Sequence, residues 1–330
     1  MINFKVGILG AGAIAGTIAE TLNALEAFEP YAIASRDLQK AEEFGNKYNI
    51  NKRYGSYEEL LADPDVELVY IATPHAFHAE QAKMCINAGK PCLVEKSFTH
   101  NAATAQEVIE LSEEKNVFCA EAMWTRCLPM YHLIMEALDK GVIGRVAHVA
   151  TSIGFKLDTN ERIVKPELAG GALLDLGVYP LNYITMLVGA APNAITSTCM
   201  RLETGVDGQE TLMFRFPDGK SGTALVTTLF ETDNTAVVYG TTGYMVIENV
   251  LNPERFYVYS NGQKLLNITK PETQISGYEY EFIAARNAII LGKNELAEMP
   301  HSETLRIMRL MDGLRNAWGV KYPLAGEPTE

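Results

Sequence analysis

No C-x-x-C pair occurs in this chain of 330 residues. Its five cysteines (Cys85, Cys92, Cys119, Cys127 and Cys199) are odd in number. That speaks against a disulfide framework and predicts reduced thiols in a cytoplasmic protein. Basic charge is also scarce: 28 Lys and Arg stand against 41 Asp and Glu, for a net charge of −13. Such a balance disfavours nucleic acid and anionic membrane surfaces as partners. No uncharged apolar run reaches the ~18 residues that a membrane span needs, and the chain contains no repeats and no low-complexity tract. His75 and His78 form an H-x-x-H pair with no third ligand close by in sequence, so no metal is expected.

What is present describes a globular chain, with 47% hydrophobic and 21% charged residues and a length that suits two domains. Gly10-Ala11-Gly12-Ala13-Ile14-Ala15 stands where an apolar strand, Phe4 to Leu9, turns into a helix beginning near Ala13. In this G-x-G-x-x-A pattern Gly10 permits the tight turn and Gly12 lets the backbone approach a pyrophosphate. Ala15 permits close helix–strand packing, and the free N–H groups of the helix start, at Ala13 and Ile14, face the phosphates. Lys5 followed by the apolar run from Val6 to Ala19 could also be taken for a signal peptide. Glycines interrupt that run, however, and a second strand pattern follows without a break.

Strand-like and helix-like stretches alternate through the first 121 residues, which predicts a parallel sheet buried on both faces. After Met123 the pattern changes to successive strand candidates between 195 and 259, punctuated by Pro217-Asp218-Gly219 and Thr242-Gly243. The expected fold is α/β. A doubly wound Rossmann domain over 1–122 precedes an α+β domain over 123–330 that holds a large, mostly antiparallel, open-faced sheet. Alternation along Thr223–Phe230 places Thr223, Leu225, Thr227 and Leu229 on one side and Ala224, Val226, Thr228 and Phe230 on the other, with no charge on either. One such face is therefore expected to be covered by a second copy, in a homodimer or higher oligomer.

Several residues at strand ends point to ligand chemistry. In NAD-type folds an acidic residue ends the second strand and binds ribose hydroxyls. Here Ser35-Arg36 follows Ala34, a hydroxyl and a forked cation that suit a 2′-phosphate, so NADP is favoured, with NAD as the alternative. Arg36 could equally be a surface residue beside a helix capped by Asp37. Thr73-Pro74-His75 follows the fourth strand and Glu95-Lys96 the fifth, at the carboxyl ends where ligands of open α/β sheets lie. Lys96 there needs a polar partner, either a bound hydroxyl or a carboxylate such as Glu95 or Glu121. Asp175 and Tyr179 are four apart and share one face of a helix, with Gly177 between them at a cost of about 1 kcal/mol. A lysine ammonium near Tyr179 would favour its phenolate and make Lys96 and Tyr179 a proton relay, with Asp175 orienting a hydroxyl or the lysine. Tyr179 could otherwise be a core tyrosine. Residues 158–170 are irregular and charged, and read either as a loop over the site or as plain surface.

Together these features resemble the glucose–fructose oxidoreductase / inositol dehydrogenase / MocA family of nicotinamide-dependent dehydrogenases. The residues that carry the resemblance are the Gly10–Ala15 turn, Thr73-Pro74 with His78, Val94-Glu95-Lys96 and Gly170–Tyr179, and it spans essentially the whole chain. Glu121-Ala122-Met123-Trp124-Thr125-Arg126 and Tyr179 are similar to the branch containing dimeric dihydrodiol and NADP-dependent D-xylose dehydrogenases. The resemblance implies oxidation of a ring or sugar carbinol, with Lys96 and Tyr179 catalytic. It implies further that Thr73, Pro74, His78 and Glu95 lie at the cofactor and that Trp124 and Arg126 line the substrate cleft. Trp124 could also be a packing anchor, and Arg126 could face a carboxylate instead. The chain departs from the family in having Ser97 where a proline is usual and Tyr179 where a histidine is usual. A sensor without turnover, or a lyase or glycosidase using transient oxidation, are the alternative functions.

Overall fold

A computed structural model describes residues 3–327. The first compact unit is Met1–Cys127 together with Ile275–Arg309, and the second is Leu128–Gln274 with Leu310–Glu330. The segment 275–309 thus joins the cofactor-type half, although the sequence pattern places it after the boundary.

In the first unit six parallel strands are ordered β3-β2-β1-β4-β5-β6. They are β1 (Phe4–Leu9), β2 (Phe28–Ala34), β3 (Lys52–Tyr54), β4 (Leu68–Ile71), β5 (Cys92–Glu95) and β6 (Cys119–Ala122). Helices α1 (Ala13–Ala24), α2 (Leu38–Tyr48), α3 (Tyr57–Ala62), α4 (His75–Asn87) and α5 (Ala102–Lys115) make the crossovers. Every residue of β4, β5 and β6 is buried, which is why these strands read as short apolar runs rather than as alternating ones. The strand order reverses between β1 and β4, and that is where a doubly wound sheet binds its ligand. Ser56 caps α3 by accepting from the Glu59 N–H, while the Glu59 carboxylate reaches back to the Gly55 N–H. Phe282 and Ala285 of α9 (Glu279–Ile290), with Leu296, complete the hydrophobic core under this sheet. Glu279 fastens the start of α9 by accepting from the N–H groups of Ile275, Ser276 and Gly277.

The second unit is built on an eight-stranded sheet ordered β14-β13-β12-β11-β7-β10-β9-β8. The strands are β7 (Val146–Gly154), β8 (Ala194–Arg201), β9 (Asp207–Arg215), β10 (Ser221–Thr227), β11 (Ala236–Gly240), β12 (Tyr244–Glu248), β13 (Arg255–Ser260) and β14 (Gln263–Thr269). Only the β7–β10 pair is parallel. Helix α6 spans Pro129–Asp139 and the short α7 spans Glu161–Val164. Helix α8 (Val178–Val188) packs on β7, and α10 (His301–Trp318) closes the chain. Alternation is strict on the central strands: Ala224, Val226, Leu212, Phe214, Val238, Met245 and Ile247 are buried. Their neighbours Thr223, Leu225, Thr211, Met213 and Tyr239 face outward. The open-faced sheet expected from the sequence is present. Strand β10 ends at Thr227, however, so Thr228–Phe230 leave the sheet. Pro166–Val188 is long and apolar enough in composition to cross a membrane, but it is 94% buried inside the protein as a core segment.

Candidate active site

The glycine turn sits at the reversal point of the first sheet. Gly10 has φ +97°, a left-handed conformation that a side chain would strain, and a Cβ there would press on Thr73 and the Ala72 carbonyl. Gly12 is the N-cap of α1, and among the described residues no side chain caps it. The first N–H groups of a twelve-residue helix therefore point out of the turn with the positive end of its dipole behind them. That arrangement fits a dinucleotide pyrophosphate, which Gly10, Gly12, Ala13 and Ile14 would hold through the backbone. A cavity of about 310 Å³ lies against Ala11–Ala13 and is also lined by Lys40, Lys47 and Tyr48 of α2, residues that no motif singles out.

At the end of β2 the Ser35 side chain accepts from the Asp37 N–H at 3.3 Å, and Asp37 caps α2 through Gln39. Arg36 is exposed, and its guanidinium lies 5.2 Å from the Phe77 ring centroid. It borders a cavity of about 320 Å³ with Tyr57, Phe77, Gln81 and Met84. The aromatic residues of this cavity come from α3 and α4. They bear no fixed spacing to the glycine turn, which is why sequence reasoning passed over them.

Thr73 and Pro74 stand between β4 and α4, and Pro74 is the helix N-cap. His78 is fully buried, with Nδ1 2.9 Å from the Ser97 carbonyl oxygen and Nε2 2.7 Å from that of Thr73. Burial pushes its pKa down to about 4, against the pull of those carbonyls. The neutral ring has one N–H, which donates to one of these carbonyls, and His78 lies between the loops that follow β4 and β5. The ring of His75 meets that of His78 edge-on at 5.6 Å. Among the described residues no group of three or more His, Cys, Asp or Glu side chains could hold a metal.

Glu95 ends β5 with one carboxylate oxygen on the Tyr70 hydroxyl and the other on the Lys96 N–H at 3.1 Å. Lys96 follows, half-buried, and the Lys96–Ser97 peptide is cis although residue 97 is not proline. Glu121 at the end of β6 accepts from the Phe98 N–H and the Thr304 hydroxyl, at 3.1 and 3.0 Å. It lies close enough for the charges of Lys96 and Arg126 to act on it.

Trp124 and Arg126 occupy a short 3-10 turn, Trp124–Cys127. Trp124 stacks flat on Tyr278 at 4.2 Å, and the Arg126 Nε donates to the Glu298 carbonyl at 2.6 Å. Arg126 Nη1 lies 3.8 Å from Glu303.

In the second unit, Leu173–Gly177 forms a π-helical turn that runs into α8 and carries Asp175; Tyr179 follows one residue into α8. Asp175 is 3% exposed and Tyr179 8%. A Cβ at Gly177 would come within 2.9 Å of the end of the Leu173 side chain. Asp175 is clamped by Arg162, which donates to both carboxylate oxygens. Sequence reasoning missed this partner. The only signal for it was a charged residue in an irregular stretch.

A doubly wound sheet with an open helix N-terminus at its reversal point, and a lysine at the end of the next strand but one, defines a nicotinamide-dinucleotide oxidoreductase. Residues 4–123 match the model of the Gfo/Idh/MocA oxidoreductase family, NAD-binding Rossmann fold, and residues 131–246 match the Gfo/Idh/MocA C-terminal domain. The chain belongs to this family. It is an NAD(P)-dependent dehydrogenase acting on hydroxyl groups. The chain is 35% identical to a trans-1,2-dihydrobenzene-1,2-diol dehydrogenase of Xenopus tropicalis, over 97% of this chain and 99% of that one. It is 34% identical to the mouse enzyme of the same name, over 96% and 97%. An aldose–aldose oxidoreductase of Caulobacter crescentus shares the fold with a TM-score of 0.86 at 22% identity, covering 96% of this chain and 98% of that one. A 3-ketoreductase of Actinomadura kijaniata with NADP shares it with a TM-score of 0.84 at 24% identity, over 95% and 97%.

Proposed function

We propose that the protein oxidises a carbinol of a cyclic vicinal diol, a polyol or a sugar, with NADP as acceptor. The observation that carries the cofactor choice is Arg36, an exposed guanidinium at the end of β2 beside a cavity floored by Phe77, where NAD-type folds place a carboxylate. The diol class is supported by the full-length likeness to dihydrodiol dehydrogenases. The nicotinamide, when bound, supplies the hydride acceptor. The chain's own work is then to remove the carbinol proton. Tyr179 takes that proton, Lys96 favours the phenolate by its charge, and Asp175 holds the geometry around them. The Rossmann half binds cofactor, and the unit built on the eight-stranded sheet binds substrate and builds the assembly.

The reading is tested by incubating the protein with NADP or NAD and a panel of trans-1,2-dihydrobenzene-1,2-diol, aldoses and polyols. NADPH formation supports it. Binding without turnover, or bond cleavage without net reduction, replaces it with a sensor or a lyase. In Arg36→Ala the loss of one charge-assisted phosphate contact, worth about 1.5–3 kcal/mol, is expected to raise KM for NADP roughly tenfold to a hundredfold. KM for NAD should stay within a small factor, and an unchanged NADP/NAD ratio would refute the assignment.

Assembly follows from the outward face of the eight-stranded sheet. Met213, Met200, Tyr239 and Tyr244 are exposed there by 37–58% among threonines, a composition suited to a partner surface. A homodimer built on this face is the expected species in light scattering at micromolar protein, and a monomeric mass would rule it out. The five free cysteines suit a reducing compartment, and we place the protein in the cytoplasm.

A further inference from the structure

The stretch 158–170 carries several charges, and one of them, Arg162, reaches a buried carboxylate although its own side chain is 39% exposed. Glu161 and Lys165 pair with each other at 2.9 Å on the surface, 75% and 46% exposed, an arrangement worth little. Arg162, between them, reaches Asp175 instead, whose side chain is only 4% exposed. Its Nη1 donates to Oδ1, and its Nη2 to Oδ2 at 3.3 Å. A fork on both oxygens fixes the direction of a carboxylate as well as its charge.

The two residues stand on segments tied to each other. Arg162 rides on α7, where the Asn160 side chain accepts from its N–H at 3.0 Å. Ile163 is fully buried, and its carbonyl accepts from the Gly171 N–H at 2.8 Å as the chain reverses. Gly171 has φ +116°, which glycine alone adopts without strain. The Tyr322 hydroxyl holds the Gly170 carbonyl at 2.7 Å, and the Leu173 N–H donates to the buried Asp207. The π-helical turn bearing Asp175 begins there. Guanidinium and carboxylate are thus mounted on one local frame, so little motion is left to lose when the pair forms.

We propose that Arg162 is a positioning residue for the reaction, holding the Asp175 carboxylate in one orientation at the start of the helix that carries Tyr179. The proposal rests on the reading of Asp175 as part of the reaction site. It makes Asp175 a fixed anion with both oxygens committed, rather than a carrier of protons.

The test uses the full-length protein with NADP and a diol or sugar on which the wild type turns over. Arg162→Met is expected to lower kcat about 10- to 100-fold, as small misplacements of a reacting group do. KM for NADP should stay within about twofold, since a positioning defect is confined to the chemical step. Arg162→Lys keeps the charge without the fork and should fall between the two. Guanidinium at non-denaturing concentration should restore part of the Arg162→Met rate, which a merely unfolded variant would not show. Arg162→Met combined with Asp175→Asn should be no worse than Asp175→Asn alone. A wild-type kcat in Arg162→Met beside an impaired Asp175→Asn overturns the proposal, as do losses that multiply in the double variant. Normal turnover in Asp175→Asn itself overturns the underlying reading of the site, and the proposal with it.

Discussion

Tyr179→Phe is expected to lower kcat for carbinol oxidation about a hundredfold or more, the range lost with a positioned acid/base. The change removes one hydroxyl and keeps the ring, so the packing of a side chain only 8% exposed is preserved. Lys96→Met should cost a comparable factor, because an unassisted phenol ionises near pH 10 and makes a poor base at neutrality. The informative variant is the double one. Lys96 and Tyr179 lie in different compact units, 83 positions apart in sequence. If they act as one relay, the second change adds little to the worse of the single changes. NADPH affinity, followed by its fluorescence, should survive Tyr179→Phe. The pH profile of kcat/KM for oxidation should lose its acidic limb in the same variant. Near-normal turnover in Tyr179→Phe would move the acid/base elsewhere. His78 is a poor heir, since both its nitrogens face backbone carbonyls.

The first sheet was legible because a parallel strand covered on both faces must be an apolar run, and the glycine turn sets the numbering for everything after it. Strands β3 and β14, both at sheet edges, were not seen because charged and polar residues interrupt them. Lys52 and Arg53 in the first, and Lys264 and Asn267 in the second, are the solvated residues that edges carry, and they erase the strand pattern. At the site, residue type was readable while direction was not. Trp124 is stacked on Tyr278, 154 positions later, a partner that no local pattern announces. Arg126 meets Glu298 and Glu303 in the same way, through the return of segment 275–309 to the first unit. The spacing of Asp175 and Tyr179 was visible, but the π-helical turn Leu173–Gly177 that carries Asp175 was not. Arg162 is brought to Asp175 only by the reversal at Gly170–Gly171, which no local pattern announces.

Raising the pH from 5 to 8 is expected to destabilise the wild-type protein more than its Glu121→Gln variant. Glu121 is 2% exposed, and burial pushes its carboxyl up from the ordinary 4.5 to about 7. The Thr304 hydroxyl, the Phe98 N–H and the charges of Arg126 and Lys96 pull the other way and only partly offset it. Because the folded state holds this proton more tightly than the unfolded chain, stability is greatest below pH 4.5. It is lost as pH rises through the interval up to about 7. At 1.36 kcal/mol per pKa unit, the full difference amounts to roughly 3 kcal/mol. Glutamine has no proton to lose and can still accept from the Phe98 N–H, so its curve should lack this component. Glu210 and Glu281 are also buried and pushed well up, and they tilt both curves alike. The comparison therefore isolates Glu121. Urea titrations at pH 5, 6, 7 and 8 measure it, and parallel curves for the two proteins would refute it. The same carboxylate touches the backbone two residues after Lys96, so its ionisation places a negative charge at the lysine's end of β5.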